Sequence, residues 1–167
     1  MKTLAALPLL AVLLAAGCAT SGGGKPGSTV PTRLKSGQSW VITRPSVAAQ
    51  VLDTCSRDSP ARHPGQVSGY WAPSRQQIEQ LEARQAALEP AIAAPGDFDR
   101  QYVGIESQGR RLIYINAFRL PDHADIDPAN IAVRVCDGGA SFWGALYDPQ
   151  TDRFSDIQVD GALRPTP

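Results

Sequence analysis

Residues 100–118 read RQYVGIESQGRRLIYINAF, two runs rich in Val, Ile and Tyr around Ser107, Gln108, Gly109 and Arg110. β-Branched and aromatic side chains suit a pleated, half-buried surface, and Gly109 supplies turn geometry, so the stretch predicts an antiparallel hairpin. Tyr102, Gly104 and Glu106 alternate onto one face of the first run, with Val103 and Ile105 on the other.

Working outward from this hairpin, NIAVRVC (130–136) predicts a third strand, with Ile131, Val133 and Val135 on one face. SFWGALYD (141–148) and RFSDIQVDG (153–161) predict a second hairpin around the turn residues Asp148 to Asp152. Upstream, PSRQQIEQLEARQAALEPAIAA (73–94) predicts an amphipathic helix. Ser74 and Gln77 form a capping-box pattern, Ile78, Leu81, Leu88 and Ile92 recur at helical spacing, and Pro90 ends or kinks the element. SWVIT (39–43) predicts a short strand and SVAAQVLDTCS (46–56) a short helix capped by Ser46. RDSPARHPGQVSGYWAP (57–73) reads as loop from its prolines and glycines.

The fold class is therefore α+β. One amphipathic helix, plus the short N-terminal one, covers one face of a four- to five-stranded antiparallel sheet, with a cystatin-like arrangement as the fold analogy.

The first 28 residues, MKTLAALPLLAVLLAAGCATSGGGKPGS, begin with a single lysine, Lys2, ahead of about 13 mostly apolar residues from Leu4 to Ala16. Such a run is too short to cross a bilayer core of roughly 30 Å at 1.5 Å per residue. The pattern is that of a signal peptide over residues 1–17. LLAAGC resembles a bacterial lipobox, although the preferred leucine stands one place early, at Leu14, and Ala15 fills its usual position. The resemblance implies cleavage before Cys18 and diacylation of that residue, with palmitate-type chains anchoring the protein in a membrane. Ala19 stands where aspartate would imply inner-membrane retention, so the resemblance implies the outer membrane, periplasmic face. Residues 18–37 are rich in Gly, Ser, Thr and Pro and read as a flexible tether of about 25 Å typical reach. Residues 38–167 form a single domain, long enough to bury a core.

Sixteen Lys and Arg balance sixteen Asp and Glu, with no basic run, which argues against nucleic acid as a partner. Of the three cysteines, Cys18 is assigned to lipid; Cys55 and Cys136 remain as a pair, read as a disulfide in an oxidising compartment. It would close a loop of about 80 residues, worth roughly 4–5 kcal/mol in the chain-entropy model. Nucleophilic chemistry at Cys136 lacks a motif linking it to His63 or His123. Asp122, His123, Asp125 and Asp127 cluster in one loop, but neither the EF-hand pattern nor paired zinc-ligand histidines occur. The expectation is no cofactor, no metal site and no catalytic set. Tyr102, Tyr114, Arg134, Trp143 and Tyr147 form the candidate binding surface, an aromatic and arginine face of the sheet left open by the helix.

The combination GYWAPSRQQIEQLE, RQYVGIESQGRRLIYINAF and VCDGGASFWGALYDPQTDRFSDIQVDG resembles a group of small exported lipoproteins of proteobacteria that carries no assigned activity, over most of residues 55–161. The resemblance implies a non-enzymatic envelope protein. Two functional classes follow: a lipid-anchored binding module for an envelope protein, such as an inhibitor or immunity-type protein against a cell-wall hydrolase, and a periplasmic hydrolase or metal-dependent enzyme using the Asp/His loop at 122–127.

Overall fold

The computed structural model describes residues 37–53, 66–121, 124–136 and 138–159. Six strands form one sheet with two α-helices packed on it, so the fold is α+β. The hairpin read from residues 100–118 is its centre. Strand β3 (Asp99–Ser107) pairs antiparallel with β4 (Arg110–Phe118) in unbroken register, from Asp99 opposite Phe118 to Ser107 opposite Arg110. Both central turn residues have positive φ, 50° at Gln108 and 73° at Gly109, the type I′ pattern whose twist matches that of paired strands.

Strand β5 (Phe142–Asp148) joins the free side of β4 and pairs with β6 (Arg153–Val159). Asp148 caps the connecting turn, its carboxylate accepting from the backbone N–H of Gln150 at 2.9 Å and of Thr151 at 3.3 Å.

The opposite side of β3 is shared by two short strands. β1 (Ser39–Val41) runs parallel to its first part, with Ser39 opposite Arg100, and β2 (Val67–Trp71) runs antiparallel to its second, with Trp71 opposite Gly104. The loop expected over 57–73 is thus corrected for residues 67–71; residues 54–65 lie outside those described. β2 owes its existence to tertiary pairing. The Trp71 indole donates to the Ile105 carbonyl at 3.1 Å, and a Cβ at Gly104 would stand 2.2 Å from the Trp71 carbonyl oxygen. Only glycine permits β2 to lie there.

The segment NIAVRVC is not a strand. Residues 131–136 cross the sheet without ladder pairing: Val133 is buried and Ile131 is 53% exposed. Two amides hold the segment. Gln101 donates to the carbonyls of Pro128 and Ile131 at 2.7 and 2.6 Å and accepts from Val133 N–H at 3.0 Å, while Asn116 donates to the Val133 carbonyl at 2.9 Å. Asn116 also donates to Gln101 at 3.0 Å, so the buried amides satisfy one another.

Helix α1 (Pro45–Leu52) starts with Pro45 in its first turn and Arg44 as N-cap; Ser46, expected as the cap, lies inside the helix. Helix α2 (Arg75–Ala83) has the expected capping box, Ser74 N–H donating to Gln77 at 2.9 Å and Gln77 N–H to Ser74 Oγ at 3.3 Å. It ends well before Pro90 and continues as a 3-10 turn over Gln85–Leu88, yet Leu81, Leu88 and Ile92 are all buried as their spacing requires.

Both faces of the sheet are covered. Val47, Val51 and Leu52 of α1 pack with Val103, Ile105, Leu112, Tyr114 and Leu146. Leu81 of α2, with Leu88 and Ile92, packs with Tyr102, Ile113, Ile115, Trp143 and Tyr147. Alternation along each strand places these sets on opposite faces. In chain order α2 is followed by the antiparallel run β3–β6.

Replacing Gly104 by Ala should destabilise the domain by about 1–3 kcal/mol, because the clash is with backbone. Gly109→Ala, which meets open space and suffers only from its positive φ, should cost about 1–2 kcal/mol. Chemical denaturation of both variants checks this; a neutral Gly104→Ala would show that β2 does not approach β3 as described.

Candidate binding groove

The aromatic surface expected from alternation is absent. Tyr102 and Tyr147 are 0% exposed, Trp143 1% and Tyr114 2%. The reason is the second helical layer: Tyr102, Trp143 and Tyr147 do share one face, as expected, but α2 covers it, and Tyr114 lies beneath α1. Trp143 meets Phe98 edge-to-face at 5.9 Å, and its buried indole N–H has no hydrogen-bond partner among the described residues. Arg134 is exposed but engaged, donating to the Asp53 carbonyl at 2.7 Å and its carboxylate at 2.8 Å.

Tyr147 donates to Asp152 at 2.6 Å, and Gln80 and Arg84 at the end of α2 reach the same carboxylate. Burial, reinforced by that carboxylate, pushes the Tyr147 hydroxyl above its ordinary range, and the hydrogen bond from Tyr147 draws Asp152 below its own. This contact ties α2 to the β5–β6 turn.

The same end of α2 meets Arg100 through Glu82, and the Arg100 side chain is only 4% exposed. Its Nε donates to Tyr102 Oη at 3.0 Å, Nη1 to the carbonyls of Phe98 and, at 3.1 Å, Gly96, and Nη2 to the Gly37 carbonyl at 2.9 Å and Glu82 at 3.2 Å. Tyr102 in turn donates to Glu82 at 2.5 Å. Burial pushes the Tyr102 hydroxyl far above the usual phenol range; Arg100 opposes the shift and Glu82 adds to it.

Above this guanidinium a groove of about 520 Å³ opens between β1 and α2. Gly37, Ser39 and Val41 form one wall, and Ile78, Glu79 and Glu82 form the other. Its charges are paired internally, Arg75 with Glu79 at 2.6 Å and Arg100 with Glu82. A second hollow, about 480 Å³, lies by the two hairpin turns, where Arg110 stands 3.7 Å from Asp148 and Arg153 joins the lining.

The remaining candidate residues divide between described and undescribed chain. Cys18, Cys55, His63, Asp122 and His123 lie outside the described residues, as do residues 1–36 of the leader and tether. Asp127 is occupied in a turn, accepting from Ala129 N–H at 3.1 Å and Asn130 Nδ2 at 2.7 Å. Among the described residues no three or more His, Cys, Asp or Glu side chains gather as a metal site would require, and no helix is long and apolar enough to cross a membrane. Sequence reading missed Gln101, the buried role of Asn116, which alternation offered as a surface residue, and Arg100. The signal for the first two was present: a two-residue turn at Gln108 and Gly109 forces residue 101 to face residue 116, pairing two amides inside an apolar hairpin.

No family model, no curated protein and no solved structure matches this chain. The groove and its neighbours are therefore the ground for a functional reading.

Arg100→Met should destabilise the domain by roughly 3 kcal/mol, since it strips Glu82 of its cation and leaves several carbonyls without donors. Urea titration checks the value; a loss below about 1 kcal/mol would mean that β1, α2 and the 95–98 turn are held in place without the guanidinium.

Proposed function

We propose that this chain is an outer-membrane lipoprotein of the small exported proteobacterial kind, anchored through Cys18 and carrying its α+β domain on the periplasmic side as a non-catalytic binding module. The groove between β1 and α2 carries this reading. Its charged groups neutralise one another, and its wall is the edge of a strand, a combination suited to holding a ligand rather than to breaking a bond. The leader, the LLAAGC sequence and the Gly/Ser-rich tether support the anchor. The partner in that compartment is an envelope protein, and inhibition of or immunity to a cell-wall hydrolase is the role proposed.

A Cys55–Cys136 disulfide belongs to the same proposal. Asp53 and Arg134 each stand two residues before one of these cysteines, and their 2.8 Å ion pair brings the two stretches of chain together. A cross-link beyond it would fasten the chain after α1 to the segment that Gln101 and Asn116 hold.

Cells expressing the full chain and fed radiolabelled palmitate should yield a labelled protein sedimenting with the outer membrane, and Cys18→Ala should abolish both label and sedimentation. An unlabelled, soluble wild-type protein would refute the anchor. Thiol titration of the denatured, unreduced protein should find neither Cys55 nor Cys136 reactive; two titrating thiols would refute the cross-link.

A further inference from the structure

We infer that the outer edge of β1 accepts an extended, uncharged peptide segment of a partner protein as an added strand, seated in the groove against α2. This deepens the proposal of a binding module by naming the chemistry of what is bound. Backbone direction comes first. Arg100 N–H donates to the Gln38 carbonyl at 2.8 Å and Ile42 N–H to the Tyr102 carbonyl at 2.9 Å, so Gln38 and Ile42 turn their peptide groups toward β3. Ser39 and Val41 are out of phase with them and turn theirs to the opposite side. There, among the described residues, nothing pairs with them. Two donor–acceptor sets stand about 6.6 Å apart, from a rise of about 3.3 Å per residue, and this repeat is matched by another polypeptide strand.

Side chains supply the second condition. Ser39 and Val41 lie opposite Arg100 and Tyr102 in the parallel ladder, so they share the face that α2 covers. A strand added to the edge would direct alternate side chains into the groove between Val41 and Ile78, where a branched apolar group fits. Charge supplies the third. Because Glu79 and Glu82 already have Arg75 and Arg100, a charged peptide side chain would gain no free counter-ion there and would lose hydration. The groove selects a neutral strand.

The other edge of the sheet has a different character. β6 is seven residues long, but its ladder is interrupted between Gly144 and Leu146, and Asp156 adopts a φ of 48°. Such irregularities guard an edge against pairing. β1 has no such irregularity, and with only two outward residues beside a helix it is too short for a sheet-to-sheet dimer.

Random nine-residue peptides displayed on phage can be panned against the immobilised full chain, and recovered sequences synthesised and titrated. The expected peptides are uncharged with β-branched residues. Ser39→Pro, which removes an outward N–H while leaving the bonds to β3, should weaken them at least tenfold, whereas Ser39→Ala should stay within twofold. N-methylation of alternate peptide bonds should also weaken binding at least tenfold, an arm that remains decisive if Ser39→Pro fails to fold. The inference is overturned if no peptide enriches, or if binding survives both backbone changes. It is equally overturned if removing residues 19–36 speeds amide exchange at Ser39 and Val41, which would give the edge to the chain's own tether, or if Ser39→Pro dissolves a concentration-dependent dimer. Peptide titration does not depend on Cys18, so its failure and failure of palmitate labelling are distinguishable.

Discussion

The guanidinium of Arg100 receives its partners from separate stretches of chain: Gly37 before β1, the turn at 95–98 before β3, and Glu82 of α2. Burying an ion is costly unless its donors are used, and the planar fork of arginine can serve several acceptors at once where a lysine ammonium would reach fewer. That requirement positions β1 beside β3 and brings the end of α2 over Tyr102. The groove is the space left between those two elements, with the guanidinium in its lining. Its shape therefore follows from satisfying one buried cation.

What was legible in the sequence was mostly local. The turn at Gln108 and Gly109 sets the β3–β4 register residue by residue, and Asp148 marks the β5–β6 turn. The Ser74–Gln77 capping box fixes the start of α2, and the periodic leucines and isoleucine beyond it mark burial even where the α-helix gives way to a 3-10 turn. Illegible features were those decided across the chain. β2 exists because β3 has an unfilled edge and Gly104 leaves room for Trp71, neither of which its own Gly- and Ser-containing stretch announces. Conversely, 130–136 has the composition of a strand, but β5 takes the place beside β4 and two amides capture the segment over the sheet face.

The candidate site divides in the same way. Alternation correctly grouped Tyr102, Trp143 and Tyr147 on one face, but alternation cannot say how many faces are covered, and a helix lies over each. Aromatic residues that look like a contact surface when both helices are placed on one face become core when a helix lies on each. The groove drew on Ser39, Val41 and Ile78, residues without a chemical signature of their own. Their meaning comes from the direction of the β1 backbone, which the parallel pairing with β3 determines.

That pairing also sets the groove apart in the order of assembly. Gln38 N–H reaches Asp99 across 61 residues, whereas β3 and β4 meet across a two-residue turn. Loop closure rises by about 0.6 kcal/mol for each doubling of length, so joining β1 to β3 carries roughly 3 kcal/mol more closure entropy than forming the hairpin. Three strand residues, the flanking bonds of Gln38 and Ile42 and the Arg100 contacts offset it. In the hierarchy of local opening, β1 is thus the sheet element closest to detachment, while the β3–β4 hairpin stands at the stable end. The wall of the groove can loosen without the core giving way.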